Sequence, residues 1–206
     1  MDSYFSNLQK DSLLWLPEHG IGYYPVKESP YDSAYFDKYV KYANTSMGIK
    51  LTEARVKFVD KYWKSNIVDI GIGCGDFIEK RKNSKTFGFD INPKGVKWLC
   101  GRNIFFDPSK QKIEGATFWD SLEHIHDPNP ILRNVTNWIF VSIPIYRDAE
   151  HILKSKHFRK DEHCWYFTNK GFLSWMASKG FECVEISQFE SILGRQDIWS
   201  YVFKRV

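Results

Sequence analysis

Cysteine is scarce in this chain, and what there is forms no pattern. Cys74, Cys100, Cys164 and Cys183 include no C-x-x-C pair and no zinc-ligand spacing. That argues against a zinc module or a disulfide scaffold and suits a reducing compartment, with the cytoplasm as the expectation. No apolar run approaches the roughly 20 residues of a membrane span, and the opening M-D-S-Y-F-S-N-L-Q-K lacks the basic-then-apolar layout of an export signal. No membrane partner is expected. The phosphate loop G-x-x-x-x-G-K-[ST] is missing, as are internal repeats and low-complexity tracts. Charge of one sign is not massed either: 29 basic and 25 acidic residues leave a formal net charge of +4, spread along the chain. Electrostatics alone therefore gives no reason to expect a nucleic-acid partner.

Aromatic residues, by contrast, are abundant. They make up 17% of the 206 residues, including eight tryptophans and eleven tyrosines. The length suits one well-buried domain with an appended cap. Residues 1–50 carry Pro17, Gly20, Gly22, Pro25 and Pro30, then a short helical stretch over 32–42, and read as an irregular N-terminal cap or lid. Tyr23, Tyr24, Tyr31, Tyr35, Phe36, Tyr39 and Tyr42 crowd there, where they could wall an acceptor pocket or simply pack the cap. The main domain is expected over 51–206, opening with a helix that Thr52 could cap and that runs to about Lys64.

The most informative segment is N-I-V-D-I-G-I-G-C-G, residues 66–75, an apolar strand ending in an acid and running into glycines at alternate positions. Without Cβ atoms, Gly71, Gly73 and Gly75 let backbone approach a nucleoside at the strand's carboxyl end. A dinucleotide fingerprint would place its third glycine one residue later, where Asp76 stands. A carboxylate at that point repels pyrophosphate by roughly 1 kcal/mol in water and about 4 at intermediate dielectric. A nucleoside with a cationic tail fits Asp69 and Asp76 better, and S-adenosylmethionine is such a ligand.

Asp90 closes a second short strand, T-F-G-F-D, 21 residues after Asp69. One strand, loop, helix and return strand span that distance, which puts the Asp90 carboxylate within reach of the ribose hydroxyls. Downstream, the pattern alternates: strand 66–70, helix 76–82, strand 86–90, helix 93–100, strands 103–106 and 115–119, helix 128–135, strand 138–143. A helix over 169–179 follows, with Thr168 as its cap and Gly180 as its end, and then an antiparallel pair, 181–187 and 197–204. This is an α/β fold with a mostly parallel, Rossmann-like sheet and helices on both faces.

Taken in order, D-I-G-I-G-C-G, F-G-F-D-I-N-P, A-T-F-W-D-S-L-E-H-I-H-D-P and F-V-S-I-P-I-Y resemble the motifs of class I S-adenosylmethionine-dependent methyltransferases. The third segment is similar to the small-molecule branch that includes the ubiquinone-biosynthesis type. The resemblance covers about residue 66 to the C-terminus and implies a seven-stranded sheet with its last strand reversed. It also implies that Asp69 helps place the cofactor's amino-acid end. Asp107 falls where such enzymes often keep an acid for adenine, although F-F-D-P-S-K is not a close match. The insertion K-H-F-R-K-D-E-H-C-W-Y-F-T, carrying His157, His163, Trp165 and Tyr166, would form one wall of the acceptor site.

The residues themselves add candidates. Ile91 offers a flat apolar face beside the ribose acid, and Trp119, ending the fourth strand, could wall the cofactor or sit in the core. Transfer from a sulfonium is an in-line displacement, so positioning can supply most of the catalysis. Where the acceptor must lose a proton, His124 is the candidate base, expected to titrate near neutrality. His124 and His126 would equally serve as solvated or capping residues. Neither H-x₃-H nor H-E-x-x-H occurs, so the spacing supports no metal site.

After the fourth strand comes W-D-S-L, unlike the D/N-P-P-Y/F of amino-methylating DNA enzymes, and no Pro-Cys nucleophile appears there. A small-molecule acceptor, methylated on oxygen or nitrogen by a monomer or homodimer, is the leading expectation. An RNA or nucleotide acceptor, or a cofactor-binding scaffold without turnover, stays open. A nicotinamide-dependent oxidoreductase is disfavoured by Asp76 and the early third glycine.

Overall fold

The computed structural model describes residues 6–8, 13–26, 33–81 and 85–206. Tyr31, Pro30, the first residue of the 32–42 helix and the last of the 76–82 helix lie outside them. The N-terminal strands are β1 (Ser6–Leu8), β2 (Leu13–Leu16) and β3 (Ile21–Tyr23), followed by helices α1 (Ser33–Ala43) and α2 (Ser46–Asp60). Next come β4 (Ile67–Ile70), α3 (Asp76–Lys80), β5 (Thr86–Phe89), α4 (Pro93–Cys100) and β6 (Ile113–Trp119). A 3₁₀ turn at Leu122–His124 leads to α5 (Asn129–Asn134), the long β7 (Val135–Tyr146), α6 (Ala149–Lys154) and β8 (Trp165–Thr168). The chain closes with α7 (Asn169–Ser178), β9 (Phe181–Ser187), α8 (Phe189–Ile192) and β10 (Ile198–Arg205).

The main sheet runs β5-β4-β6-β7-β10-β9, parallel through β7, with β10 antiparallel to both of its neighbours. All four residues of β4 are buried, as expected of a strand covered on both faces. Val68 and Ile70 join Phe118, Ile139, Phe172 and Phe203 on one side. Ile67 joins Phe58, Phe77, Phe140 and Val202 on the other. Each fully buried aliphatic or Phe side chain contributes about 1.5–3 kcal/mol. That continuous double layer holds the strand tips in place.

Several expectations need correction. The strand over 103–106 shrinks to a single parallel bridge, Gly88 to Phe105. Asn103 takes a positive φ of 55° just before it, and the Asp107–Pro108 turn follows at once, leaving no room for a longer ladder. The helix before the first strand starts a full turn and more ahead of Thr52. Thr45 is its cap, accepting a hydrogen bond from Gly48 N at 3.0 Å, and α2 passes through residue 50 without a break. Thr52 lies buried inside the helix and donates to Asp76 Oδ2.

The N-terminal segment is more regular than its Pro and Gly content suggested. Leu13–Leu16 and Ile21–Tyr23 form an antiparallel hairpin whose turn is closed by Gly20 N donating to Leu16 O at 2.8 Å. Gly20 has a φ of 62°. β3 continues onto β8, which in turn pairs with the far end of β7 through Ile145–Phe167 and Tyr146–Thr168. A small cap sheet thus grows off the carboxyl end of β7, with Leu13, Trp15, Tyr146, Ile152 and Tyr166 as its core.

Candidate active site

At the carboxyl ends of β4, β5 and β6 lies a cavity of about 340 Å³. Its floor is the turn after β4. Gly71 has a φ of 77°, and a Cβ placed on it would stand 2.7 Å from Ser121 Cβ, so this position requires glycine on two counts. Ser121, which follows β6, donates to Ile70 O at 2.5 Å and pins the two strand tips together. Gly73 faces the Tyr39 ring, and the backbone here passes directly beneath α1. Gly75 faces away: with a φ of 88°, it packs against Trp98 of α4 and does not line the cavity.

Asp69 and Asp90 reach this floor from adjacent strands, with Asp76 beside them. Asp69 is buried and accepts a hydrogen bond from Thr117 Oγ1 at 2.6 Å. Burial pushes its carboxyl up to about 7, with the Thr117 hydrogen bond pulling the other way and Asp76 adding repulsion. Asp90 also sits above the ordinary carboxylate range through burial, opposed by backbone hydrogen bonds that include Asn92 N to Asp90 Oδ1 at 2.7 Å. Neighbouring Ile91 is 64% exposed and lines the cavity beside Phe89, an apolar shelf next to the Asp90 carboxylate.

Trp119 walls the opposite side, its ring against Phe77 and beneath the Arg55 guanidinium at 5.0 Å. Its buried Nε1 has no hydrogen-bond partner. Tyr35 and Tyr39 of α1 also line the cavity, with hydroxyls 3.2 Å apart. An ion pair between Lys94 and Asp37 at 2.7 Å ties α1 to α4.

Other expected site residues stand outside the cavity lining. The Asp107 carboxylate turns into its own loop, bonded to Ser109 and Lys110. Burial works against those contacts, but they hold it below the usual carboxylate range. Tyr24 packs on Phe158, and His157 Nε2 meets Gln196 O at 2.9 Å. Trp165 donates to Ile125 O at 2.9 Å, and Tyr166 is wholly buried in the cap core. His163 is buried against His124, their ring centroids 4.6 Å apart.

His124 does line the cavity, but not as a histidine that titrates near neutrality. Burial holds it down to about 4, with the Asp120 charge pulling up and Arg159 pushing down, so it is neutral at physiological pH. His126, also at the cavity, is held by Tyr23 at 3.0 Å.

Sequence reasoning missed a group of charged residues along the same wall. Asp120, at a positive φ of 54°, accepts from Arg55 at 3.0 Å and from Arg195 at 2.8 Å, and both arginines also hold the fully buried Glu190. Burial opposes ionisation of Asp120, but Arg195 and Arg55 outweigh it and keep the carboxylate well below its usual range. Asp120 stood in the post-strand-4 motif and was legible there. Arg55, on an amphipathic helix, and Arg195, in a turn, carried no local signal.

A sequence model described as a methyltransferase domain matches residues 38–186. This chain belongs to that methyltransferase family. The match spans the glycine turn, both acids and the post-β6 motif, and it makes the protein an S-adenosylmethionine-dependent methyltransferase. Solved structures share the fold at low identity. Magnesium protoporphyrin IX methyltransferase from Synechocystis PCC 6803, with bound S-adenosylhomocysteine, superposes with a TM-score of 0.62 at 12% identity, over 85% of this chain and 96% of that one. A methyltransferase from Archaeoglobus fulgidus gives 0.57 at 16%, over 83% and 100%. The Burkholderia thailandensis 1,6-didemethyltoxoflavin-N1-methyltransferase, bound to its acceptor and S-adenosylhomocysteine, gives 0.57 at 12%, over 84% of each chain. No curated protein sequence matches the chain significantly.

Proposed function

We propose that this methyltransferase transfers its methyl group to an oxygen or nitrogen of a small-molecule acceptor held between the strand tips and α1. The observation that carries the reading is the cavity itself. At about 340 Å³ it has the dimensions of a small-molecule site, and the buried Asp69 and the half-buried Asp90 converge on it from adjacent strand ends. In this reading Asp90 takes the ribose hydroxyls, and Ile91 with Phe89 supports the adenine. Asp69 and the Gly71–Gly73 turn face the methionine end. A cationic amino group arriving near Asp69 would favour its ionised form and offset the cost of burying that charge. Trp119, Tyr35 and Tyr39 then border the space left for the acceptor, with the neutral His124 imidazole on the same cavity.

Two of the structural neighbours are named for small-molecule acceptors, magnesium protoporphyrin IX and 1,6-didemethyltoxoflavin, which supports an acceptor of that class here. No helix among the described residues is long and apolar enough to cross a membrane. Four free cysteines suit a reducing compartment, and we place the protein in the cytoplasm on that ground.

Calorimetry with S-adenosylhomocysteine tests the site. Asp90→Ala should lose roughly 1.5–3 kcal/mol of binding, the worth of a hydrogen bond to a charged group. Unchanged affinity would remove Asp90 from the cofactor site and the proposed orientation with it.

A further inference from the structure

Behind the wall formed by His124 lies a cluster that neither the cofactor site nor the packing of the cap accounts for. Glu123, His124 and His163 each offer a ligand atom, all within 4.8 Å of one another. Glu123 Oε1 stands 3.8 Å from His124 Nε2 and 4.0 Å from His163 Nε2. Glu123 is 1% exposed and neither of its carboxylate oxygens has a hydrogen-bond partner. His163 is 3% exposed with Nδ1 also unpartnered. Buried polar atoms are nearly always satisfied, and a carboxylate with both oxygens orphaned between two imidazoles points to a missing central group.

We propose that Glu123, His124 and His163 bind a divalent first-row transition ion of the Zn²⁺ class at the wall of the cavity. Two imidazoles and one carboxylate are a set such ions favour, with remaining positions left for solvent or substrate. Ligands at about 2.1 Å in tetrahedral array stand roughly 3.4 Å apart, so the two Glu–His pairs need draw in by roughly 0.5 Å. Local structure supplies the surroundings. The 3₁₀ turn Leu122–His124 presents Glu123 and His124 side by side, and Cys164 N donates to Glu123 O at 2.7 Å, which docks the segment bearing His163 against that turn. The His124 ring is further held by a hydrogen bond to the Glu162 backbone, the kind of outer contact that orients a ligating imidazole.

Because His124 lines the cavity while Glu123 and His163 stand behind it, an ion here would direct its open positions toward the acceptor. The ligand class is therefore an acceptor with an oxygen donor, a hydroxyl or enol. Its oxygen would form the new O–C bond as the C–S⁺ bond breaks with its electron pair going to sulfur, and its proton would leave to solvent. This second part rests on the methyltransferase reading above; the metal site does not.

The test is titration of chelator-treated, desalted protein with Zn²⁺ by calorimetry, with Mg²⁺ as the hard-ion control and Co²⁺ absorption as a ligand-sensitive probe. One Zn²⁺ per chain is expected, binding at least tenfold more weakly in His163→Gln and Glu123→Gln, while Cys100→Ser keeps wild-type affinity. The Co²⁺ spectrum of the unaltered protein should show nitrogen and oxygen ligation, which keeps the test decisive where a variant misfolds. Absence of stoichiometric Zn²⁺ binding, equal affinity in folded His163→Gln, or a thiolate charge-transfer band would each overturn the site. S-adenosylhomocysteine titrated into the same protein reports separately on the cofactor reading: Zn²⁺ bound without it retains the metal site and overturns the acceptor chemistry.

Discussion

Asp69 shows how one buried side chain carries both a cost and a use. It is 1% exposed and accepts a hydrogen bond from the Thr117 hydroxyl. An aspartate raised from 3.8 to about 7 holds its proton more tightly in the folded chain than in the unfolded one. The stability linked to that proton is therefore complete below about pH 4 and is lost as pH rises toward 7. Without ligand, Asp69→Asn should match wild type below that range and gain in melting temperature over it between pH 4 and 7, then level off. A constant difference across the whole range would show an ordinary, ionised Asp69. Arg81 is the opposite case. It is 1% exposed, yet fully engaged by Asp60 Oδ1 at 3.0 Å, Trp63 O at 2.8 Å and Thr86 Oγ1 at 3.2 Å. Arg81→Ala should cost about 1–3 kcal/mol in chemical denaturation, because it leaves the Trp63 and Ser65 carbonyls and the Thr86 hydroxyl without the donor that bonds them.

At the scale of elements, local chemistry was read correctly where a side chain acts on its own backbone and misread where it reaches further. Thr168 was expected as a cap and is one, accepting from Gly171 N at 3.0 Å. Thr52 was expected as a cap, but its hydroxyl serves Asp76, 24 residues away, and Thr45 does the capping. Thr45→Ala should therefore destabilise by about 1 kcal/mol in denaturant unfolding, the usual worth of an N-cap. Strand boundaries followed the same rule. β9 was legible to the residue because its alternation is complete, with Phe181, Cys183, Glu185 and Ser187 more buried than or alternating with their neighbours. β7 was read too short because its last residues belong to a second sheet whose partner, β8, lies some twenty residues on. In the glycine turn, Gly71→Ala should destabilise by about 1–3 kcal/mol and weaken S-adenosylhomocysteine binding, since left-handed backbone and the Ser121 contact act together.

For the whole molecule, the decisive feature is that two sheets share one long strand. The main sheet has extensive pairing on both sides of β7, whereas among the described residues the strand pairing that joins the cap sheet to it is Ile145–Phe167 and Tyr146–Thr168. Free energies of local opening follow such differences in support. In native-state hydrogen exchange, amides of β2 and β3 should exchange well before those of β4, β6 and the centre of β7. Simultaneous exchange would mean that cap and core unfold as one unit. The Arg55–Asp120–Arg195–Glu190 cluster crosses the molecule in the same way, linking α2, the end of β6 and the α8–β10 turn at the cavity wall.

What the sequence determined alone is whatever short-range physics controls: the glycine turn, the acids closing β4 and β5, the strand–helix alternation, and through them the family and its cofactor. Each depends on residues within one or two turns of chain, where periodicity and steric freedom leave few alternatives. Tertiary structure decided which side chains share the cavity. It turned Gly75 and Asp107 away, buried His124 until its imidazole lost its usual basicity, and set Glu123 beside His163 from 40 residues away. Burial and desolvation arise only when distant segments exclude water together, and no local pattern encodes them.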